Sequence, residues 1–392
     1  MKLQKYFHKL ERSVKLSFLA VGVVAVGAAS WSLVKTYGVG NSSAFQTTPA
    51  VIAEPEKPKH IKTPEPVKAI YMTSWVAGTK DWRAELVDLI KKTELNSVVI
   101  DVKDYAGKIS FETGDPAIKE IGSEEIRVKD MKDFIETLHD AGIYAIARIT
   151  VFQDPYYSKK HPDQAVQKKN GTLWKDKKGL SYMDPASREY WDYIIKIARA
   201  SEKAGFDELN FDYIRFPSDG DMSNIKFPLS GDMKIKNIKV KVLTDFFKYL
   251  SAELKNTGVP ISADVFGMVA TNYDDLNIGQ VLEDIAPYFD YISPMVYPSH
   301  YPPTFQGYKN PAAHPYEIVL YSMSKAVERL SAPTSTPSKL RPWLQDFDLG
   351  KNYGVAEVEA QKRAVYDSGL TSWMSWDAGN RYTQGAYLLD PN

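Results

Sequence analysis

The chain has no cysteine in its 392 residues, which excludes thiolate catalysis, disulfide staples and cysteine-ligated zinc and suits an exported protein. It also lacks net charge, since 49 Lys plus Arg balance 49 Asp plus Glu. Without a basic field, nucleic acid is not an expected partner. Histidine is scarce, at 6 residues. None of His139, His161, His300 or His314 falls at the end of a strand pattern, so neither a metal site nor a cofactor is expected. No glycine-rich loop follows the last two strand patterns, which argues against a phosphate-binding barrel.

Long apolar runs are missing except for one. Leu16 to Val34 is uncharged throughout, close to the ~20 residues that span a hydrocarbon core as a helix. Residues 1–15 carry Lys2, Lys5, Lys9, Arg12 and Lys15 against Glu11 alone, a flank that stays cytoplasmic by the positive-inside rule. Residues 16–35 therefore read as a signal anchor. The small residues Ala28, Ala29 and Ser30 keep a cleaved signal peptide as the alternative. The expected location is the cell membrane with the remaining chain outside the cytoplasm, or secretion if the segment is cleaved. Residues 36–67, with Pro49, Pro55, Pro58, Pro64 and Pro66 among polar residues, read as a disordered tether.

From 68 to 392 short apolar runs alternate with amphipathic helices, the pattern of parallel βαβ units. Strand patterns begin near residues 68, 95, 143, 207, 260, 289, 340 and 371. Eight units predict a (β/α)8 TIM barrel. Helical stripes fall at Trp82, Leu86, Leu89 and Ile90; at Met131, Phe134, Ile135 and Leu138; at Trp191, Ile194, Ile195 and Ala198; at Leu243, Phe246, Phe247 and Leu250; and at Ile278, Val281, Leu282 and Ile285. Gly142, Gly205, Gly258 and Gly369 stand where helices should close before the next strand. Long insertions follow strands two, three, four and six, on the face where such barrels build active sites.

Side chains alternate along a strand between barrel axis and helix layer. In DELNFD, Leu209 and Phe211 suit the helix side, so Asn210 and Asp212 face the axis. In PISADV the same parity turns Ser262 and Asp264 inward, and Asp101 ends strand two in register with Ser97 and Val99. Acids placed there need partners or a reaction to serve. Their readings as plain ion pairs would be Asp212 with Arg215 and Asp101 with Lys103. Cleavage of a glycosidic bond needs one protonated acid and one carboxylate, and Asp212 with Asp264 fits that demand, with Asp101 a third candidate. Neither strand end carries Glu, so one Asp must have its pKa raised.

Flat aromatic faces and polar groups suited to sugars lie at or just beyond strand ends: Trp75, Tyr213, Tyr297, Trp343 and Trp376, with Asp104, Arg148, Asn210, Arg215, His300, Gln345 and Asp377. Asp184 before Pro185 reads as the cap of the third helix. The segments FDELNFDYIRFP, ISADVFGM, YISPMVYPSHY, RPWLQDF and SWMSWDAGNRY resemble the putative glycosyl hydrolase domain family of bacterial exported proteins, over roughly residues 68 to 385. More distantly, MDPASREYW with DYIRFP is similar to the glycosyl-hydrolase-like barrels that include poly-N-acetylglucosamine hydrolases. The resemblance implies a (β/α) barrel whose fourth-strand acid is Asp212, and a polysaccharide substrate. Tyr213 stands where the distant relatives tend to carry a second Asp. A barrel that binds glycan without cleaving it is the competing expectation.

Overall fold

The computed structural model describes residues 58–331 and 336–388. The expected anchor at 16–35 and most of the tether lie outside them. Among the described residues no helix is long and apolar enough to cross a membrane.

Eight strands close into a parallel barrel in sequential order: β1 Lys68–Met72, β2 Ser97–Lys103, β3 Tyr144–Thr150, β4 Glu208–Asp212, β5 Ile261–Phe266, β6 Tyr291–Met295, β7 Trp343–Gln345 and β8 Trp373–Trp376. Each overlaps a strand read from the sequence. The helices that clothe it are α1 Lys80–Lys91, α2 Met131–Asp140, α3 Arg188–Lys203, α4 Ile238–Leu254, α5 Leu282–Ile285, α6 Pro315–Leu330 and α7 Val355–Asp367. Their apolar stripes and the outward faces of the strands form one large core. Inside the barrel a smaller apolar layer holds Ala69, Tyr71, Val99, Tyr144, Ile146, Trp343 and Met374. Helices α2 and α3 end on Gly142 (φ 70) and Gly205 (φ 107). A Cβ on Gly205 would stand 3.1 Å from Ile135, so both its backbone angle and its close approach require glycine.

Three expectations need correction. The stripe at Ile278, Val281, Leu282 and Ile285 yields a helix only over Leu282–Ile285, because Leu276 (φ 50), Asn277 (φ 59) and Gly279 (φ 84) are left-handed and break the turn before it. Trp82 is partly exposed rather than core. It lines a groove between α1 and the segment after β8, where the described chain forms only a 3-10 turn, Gln384–Tyr387, in place of a full helix. Helix α3 is capped by Ser187, whose side chain accepts from Tyr190 N; Asp184 instead holds Leu229 N at 2.8 Å and Ser230 N at 3.2 Å.

Residues 58–67, read from sequence as the end of a free tether, lie across the N-terminal mouth of the barrel. Ile61 N donates to Asp207 at 2.9 Å and the Thr63 hydroxyl pairs with that of Tyr144 at 3.0 Å. Ile61 packs on the interior layer and Val67 is fully buried within it. Proline-rich composition described the chain's stiffness but not the few apolar and hydrogen-bonding residues that dock it.

At the other mouth, the insertions after β3 and β4 are joined by a short antiparallel ribbon, Gln167–Lys168 with Ile225–Lys226. Trp174 Nε1 donates to Asp221 O at 2.9 Å. Two walls of the C-terminal face are thereby tied together.

Candidate active site

Strand register brings the site together. Asp101 pairs with Arg148 across β2 and β3, and Arg148 with Asn210 across β3 and β4. Asn210 pairs in turn with Ser262. All of these face the barrel axis, so the Arg148 guanidinium is surrounded by acids from three strands. It donates from Nη1 to Asp101 Oδ1 at 2.5 Å and from Nη2 to Asp212 Oδ2, and its Nε lies 3.8 Å from Asp264 Oδ2. Lys103 does not share this cluster. The β2 register shifts between Asp101 and Lys103, and this bulge turns Lys103 outward to Asp154 at 3.0 Å. Arg215 does not pair with Asp212 either; it donates to Phe216 O and Ser218 Oγ, both at 3.1 Å.

One arginine thus serves three buried aspartates. The remaining donors are neutral. Tyr71 gives its hydroxyl to Asp101, Tyr213 N donates to Asp212 Oδ1 at 2.5 Å, and Asp264 Oδ1 accepts from Asn210 at 2.9 Å and from Trp343 Nε1 at 2.8 Å. Burial pushes the Asp264 carboxyl up to about 8, and the neighbouring Asp212 charge adds to the effect while Arg148 opposes it. Burial likewise raises Asp101, against the pull of Arg148. With one cation among three carboxyls, the site favours the protonated form of Asp264. Burial with nearby Asp264 also raises the Tyr297 phenol well above its ordinary value.

Above the cluster opens a cleft of about 440 Å³. Of the three acids only Asp212 lines it; Asp264, at 1% exposure, and Asp101 lie beneath. Trp376 forms one wall, stacked on Tyr71 with ring centroids 3.9 Å apart. Tyr213 forms another and holds a left-handed backbone, φ 53. This strained conformation sits immediately after Asp212 at the end of β4.

Among the sequence candidates, Arg148, Asp212, Tyr213, Arg215, Tyr297, His300 and Trp376 line the cleft. Asn210 and Trp343 serve it from below as donors to Asp264. Gln345 is a loop brace, accepting from Ser299 N at 3.1 Å and donating to Phe347 O at 2.8 Å. Asp104 caps its own turn and pairs with Arg127 at 2.6 Å. Asp377 closes the turn to Gly379 and Arg381. Trp75 stands on the rim outside the cleft. Reading by strand ends missed Tyr71, whose inward parity with Ala69 marked it, and the cleft residues Lys178, Asp219 and Met268. These three come from insertions, where no periodicity assigns a direction. His300 is pushed down by burial and by Lys178. Among the described residues no group of three or more acids and histidines could hold a metal ion.

Residues 69–382 match the family described as putative glycosyl hydrolase domain. A search of the curated proteins finds no match. Among solved structures, a hypothetical protein from Ruminiclostridium thermocellum ATCC 27405 is 35% identical, covering 50% of this chain and 97% of its own, at a TM-score of 0.45. The PgaB (BpsB) glycoside hydrolase domain from Bordetella bronchiseptica is 14% identical with a TM-score of 0.59, over 83% of this chain and 100% of its own. Alpha-L-fucosidase isoenzyme 2 from Paenibacillus thiaminolyticus is 12% identical at 0.54, over 82% and 46%. At such identities the last two likenesses are of fold alone.

Proposed function

Because the chain belongs to the putative glycosyl hydrolase domain family, we propose that it cleaves glycosidic bonds of a cell-wall or extracellular polysaccharide, with Asp212 meeting the sugar and Asp264 holding the proton. The observation that carries this reading is the unequal charge of the site: three buried aspartates gather around one arginine, and Asp212 opens onto the cleft. An ion-pair network built only for stability would balance its charges.

Arg148 and the Tyr213 N–H hold Asp212 as an oriented carboxylate. The Asp212 charge helps keep Asp264 protonated. When that charge is consumed against the positive character developing at the sugar, the repulsion that raised Asp264 weakens and its proton becomes easier to release. The two acids act as one coupled unit in which Asp264 tunes the charge on Asp212 from beneath the cleft; as the glycosidic C–O bond breaks, a water entering the cleft gives its proton to the departing oxygen and its hydroxyl to the anomeric carbon. Trp376, Tyr213 and Tyr297 offer ring faces and hydroxyls for the saccharide. The basic flank and apolar run at residues 1–35 support a domain held at the outer face of the membrane, or secreted, where such polymers are found.

A glycan-binding barrel without hydrolysis is the second reading, favoured by one observation: a single acid of the three lines the cleft. One experiment separates the two. Wild type, Asp212→Asn and Asp264→Asn are assayed for new reducing ends on a panel of soluble wall and extracellular polysaccharides. Hydrolysis should fall on the order of 10³-fold or more in Asp212→Asn, with the thermal transition kept. In the wild type it should fall as pH rises through about 8, where Asp264 ionises. Stability carries the matching sign. A carboxyl raised in the folded state contributes fully below its unfolded value and loses that contribution as pH rises through the folded value. Asp264→Asn should therefore gain on wild type in melting temperature between pH 4 and 8. Retention of glycan with no cleavage by wild type would establish the binding reading instead.

A further inference from the structure

Trp75 is 64% exposed, yet the residues beneath it are built with care. One face of its ring lies over the Arg127 guanidinium, 4.3 Å from the ring centroid. That guanidinium is nearly buried and held by three hydrogen bonds. It donates from Nη1 to Asp104 at 2.6 Å and to Ser74 Oγ at 2.8 Å, and from Nε to Glu125 at 2.9 Å. The cation is therefore fixed, and the ring stacked on it presents its other face to solvent in a held orientation. A large apolar face left exposed gains nothing for the core, while a rigid one binds a planar partner at little entropic cost.

Its position continues the cleft. Trp75 sits on the single helical turn Ser74–Ala77 directly after β1, and β1 carries Tyr71, whose ring stacks on the cleft wall Trp376. Asn380 and Tyr382 both bind Tyr71 O, at 3.1 Å and at 2.5 Å, so this sector of the rim is rigid. A second exposed ring, Tyr105 at 58%, lies on the adjoining turn, next to the Asp104 that anchors Arg127. Flat rings flanked by fixed hydrogen-bonding groups are the chemistry that recognises pyranose faces.

We propose that Trp75 is an outlying sugar platform, so that the substrate is a polymer running from the cleft over Trp376 and across the β1 rim. The inference rests on the glycan reading above and deepens it: an occupant that reaches from Asp212 to Trp75 must be an oligosaccharide of several rings. A monosaccharide held in the cleft would leave the platform unused.

Binding is tested in the Asp212→Asn protein, which removes turnover from the measurement. Asp212→Asn and Asp212→Asn/Trp75→Ala are run in native gels cast with soluble polysaccharides of several kinds: glycol chitin, chitosan, carboxymethyl cellulose, β-glucan and xylan. The expected result is retardation of Asp212→Asn by at least one polymer, lost with Trp75→Ala and regained with Trp75→Tyr, while all three melt together. In the catalytically intact background, the ratio of kcat/KM on the retarding polymer to kcat/KM on a short aryl glycoside should fall about tenfold in Trp75→Ala. Absence of retardation in every gel, or equal retardation with and without the Trp75 ring, overturns the platform. Retardation that depends on Trp75 in a protein that cleaves nothing keeps the platform and rejects the hydrolytic reading.

Discussion

At the N-terminal mouth of the barrel Arg341 meets one acid, Glu208, at 2.8 Å; at the C-terminal mouth Arg148 meets three. Both arginines are buried and both acids of the β4 strand, Glu208 and Asp212, face the same axis. At the N-terminal end every acid is matched. Glu208 also accepts the Tyr144 hydroxyl at 3.1 Å, and Asp207 accepts from Ala145 N, Ile61 N and His139. The histidines and backbone amides hold the Asp207 carboxyl below the usual carboxylate range despite its burial. At the C-terminal end donors run short, and a carboxyl rises to about 8 instead. The barrel thus carries charges that are settled at one mouth and unsettled at the other. The balance of donors against carboxyls, more than the presence of ion pairs, separates the two ends.

The comparison is broken most forcibly by removing its two arginines. Arg148→Met leaves buried acids with no cation, and should cost about 3–5 kcal/mol in denaturant unfolding at pH 7. The cost should shrink toward pH 4 as the acids take up protons. A loss that does not depend on pH would mean that Arg148 acts through packing alone. The N-terminal end should respond differently. Arg341→Met with Glu208→Gln removes a matched pair together, and the double variant should lie within about 1 kcal/mol of wild type or above it. Hydrolysis should persist in it. A double variant as unstable as Arg148→Met would erase the distinction between the two ends.

How far this was legible in the sequence follows from what periodicity encodes. Period two gave the strands and the inward parity of Asp101, Asp212 and Asp264, because alternate side chains of a strand share one face and the residues alternating with these acids are helix-facing apolar ones. Parity names a face but not a neighbour. Arg215 and Lys103 are close to these acids in sequence, whereas Arg148 reaches them only through the register of β3 against β2 and β4. The bulge that expels Lys103 has no signature in SVVIDVK. Aromatic residues near strand ends were read as sugar contacts alike, yet Trp343 is fully buried and spends its N–H on Asp264. Burial in the axial layer decides that, and only the closed barrel shows it. Trp82 was misread for a related reason: a helical stripe implies a covering layer, and beside α1 that layer is incomplete.

The smallest expected effect sharpens the N-terminal side of the comparison, where the matching of charge depends on the strap at residues 58–67. His60 Nε2 lies 3.3 Å from Glu202, and its Nδ1 lies 3.8 Å from Asp207, which His139 also contacts. The Asp207 carboxyl raises the His60 pKa above 6.5, burial opposes this, and Glu202 adds to it. A histidine raised in the folded state contributes its stability fully below the unfolded value and loses it as pH rises through the folded one. His60→Gln should therefore lower the melting temperature at pH 5.5 and match wild type at pH 9. Solvent access limits the difference to below about 1 kcal/mol. Tryptic cleavage after Lys59 and Lys62 should follow the same pH dependence, faster in the variant at low pH and equal at high pH. If the two proteins differ equally at both pH values, the strap is held by Ile61 and Thr63 alone, and the N-terminal mouth is matched by its hydrogen bonds without any contribution from a protonated His60.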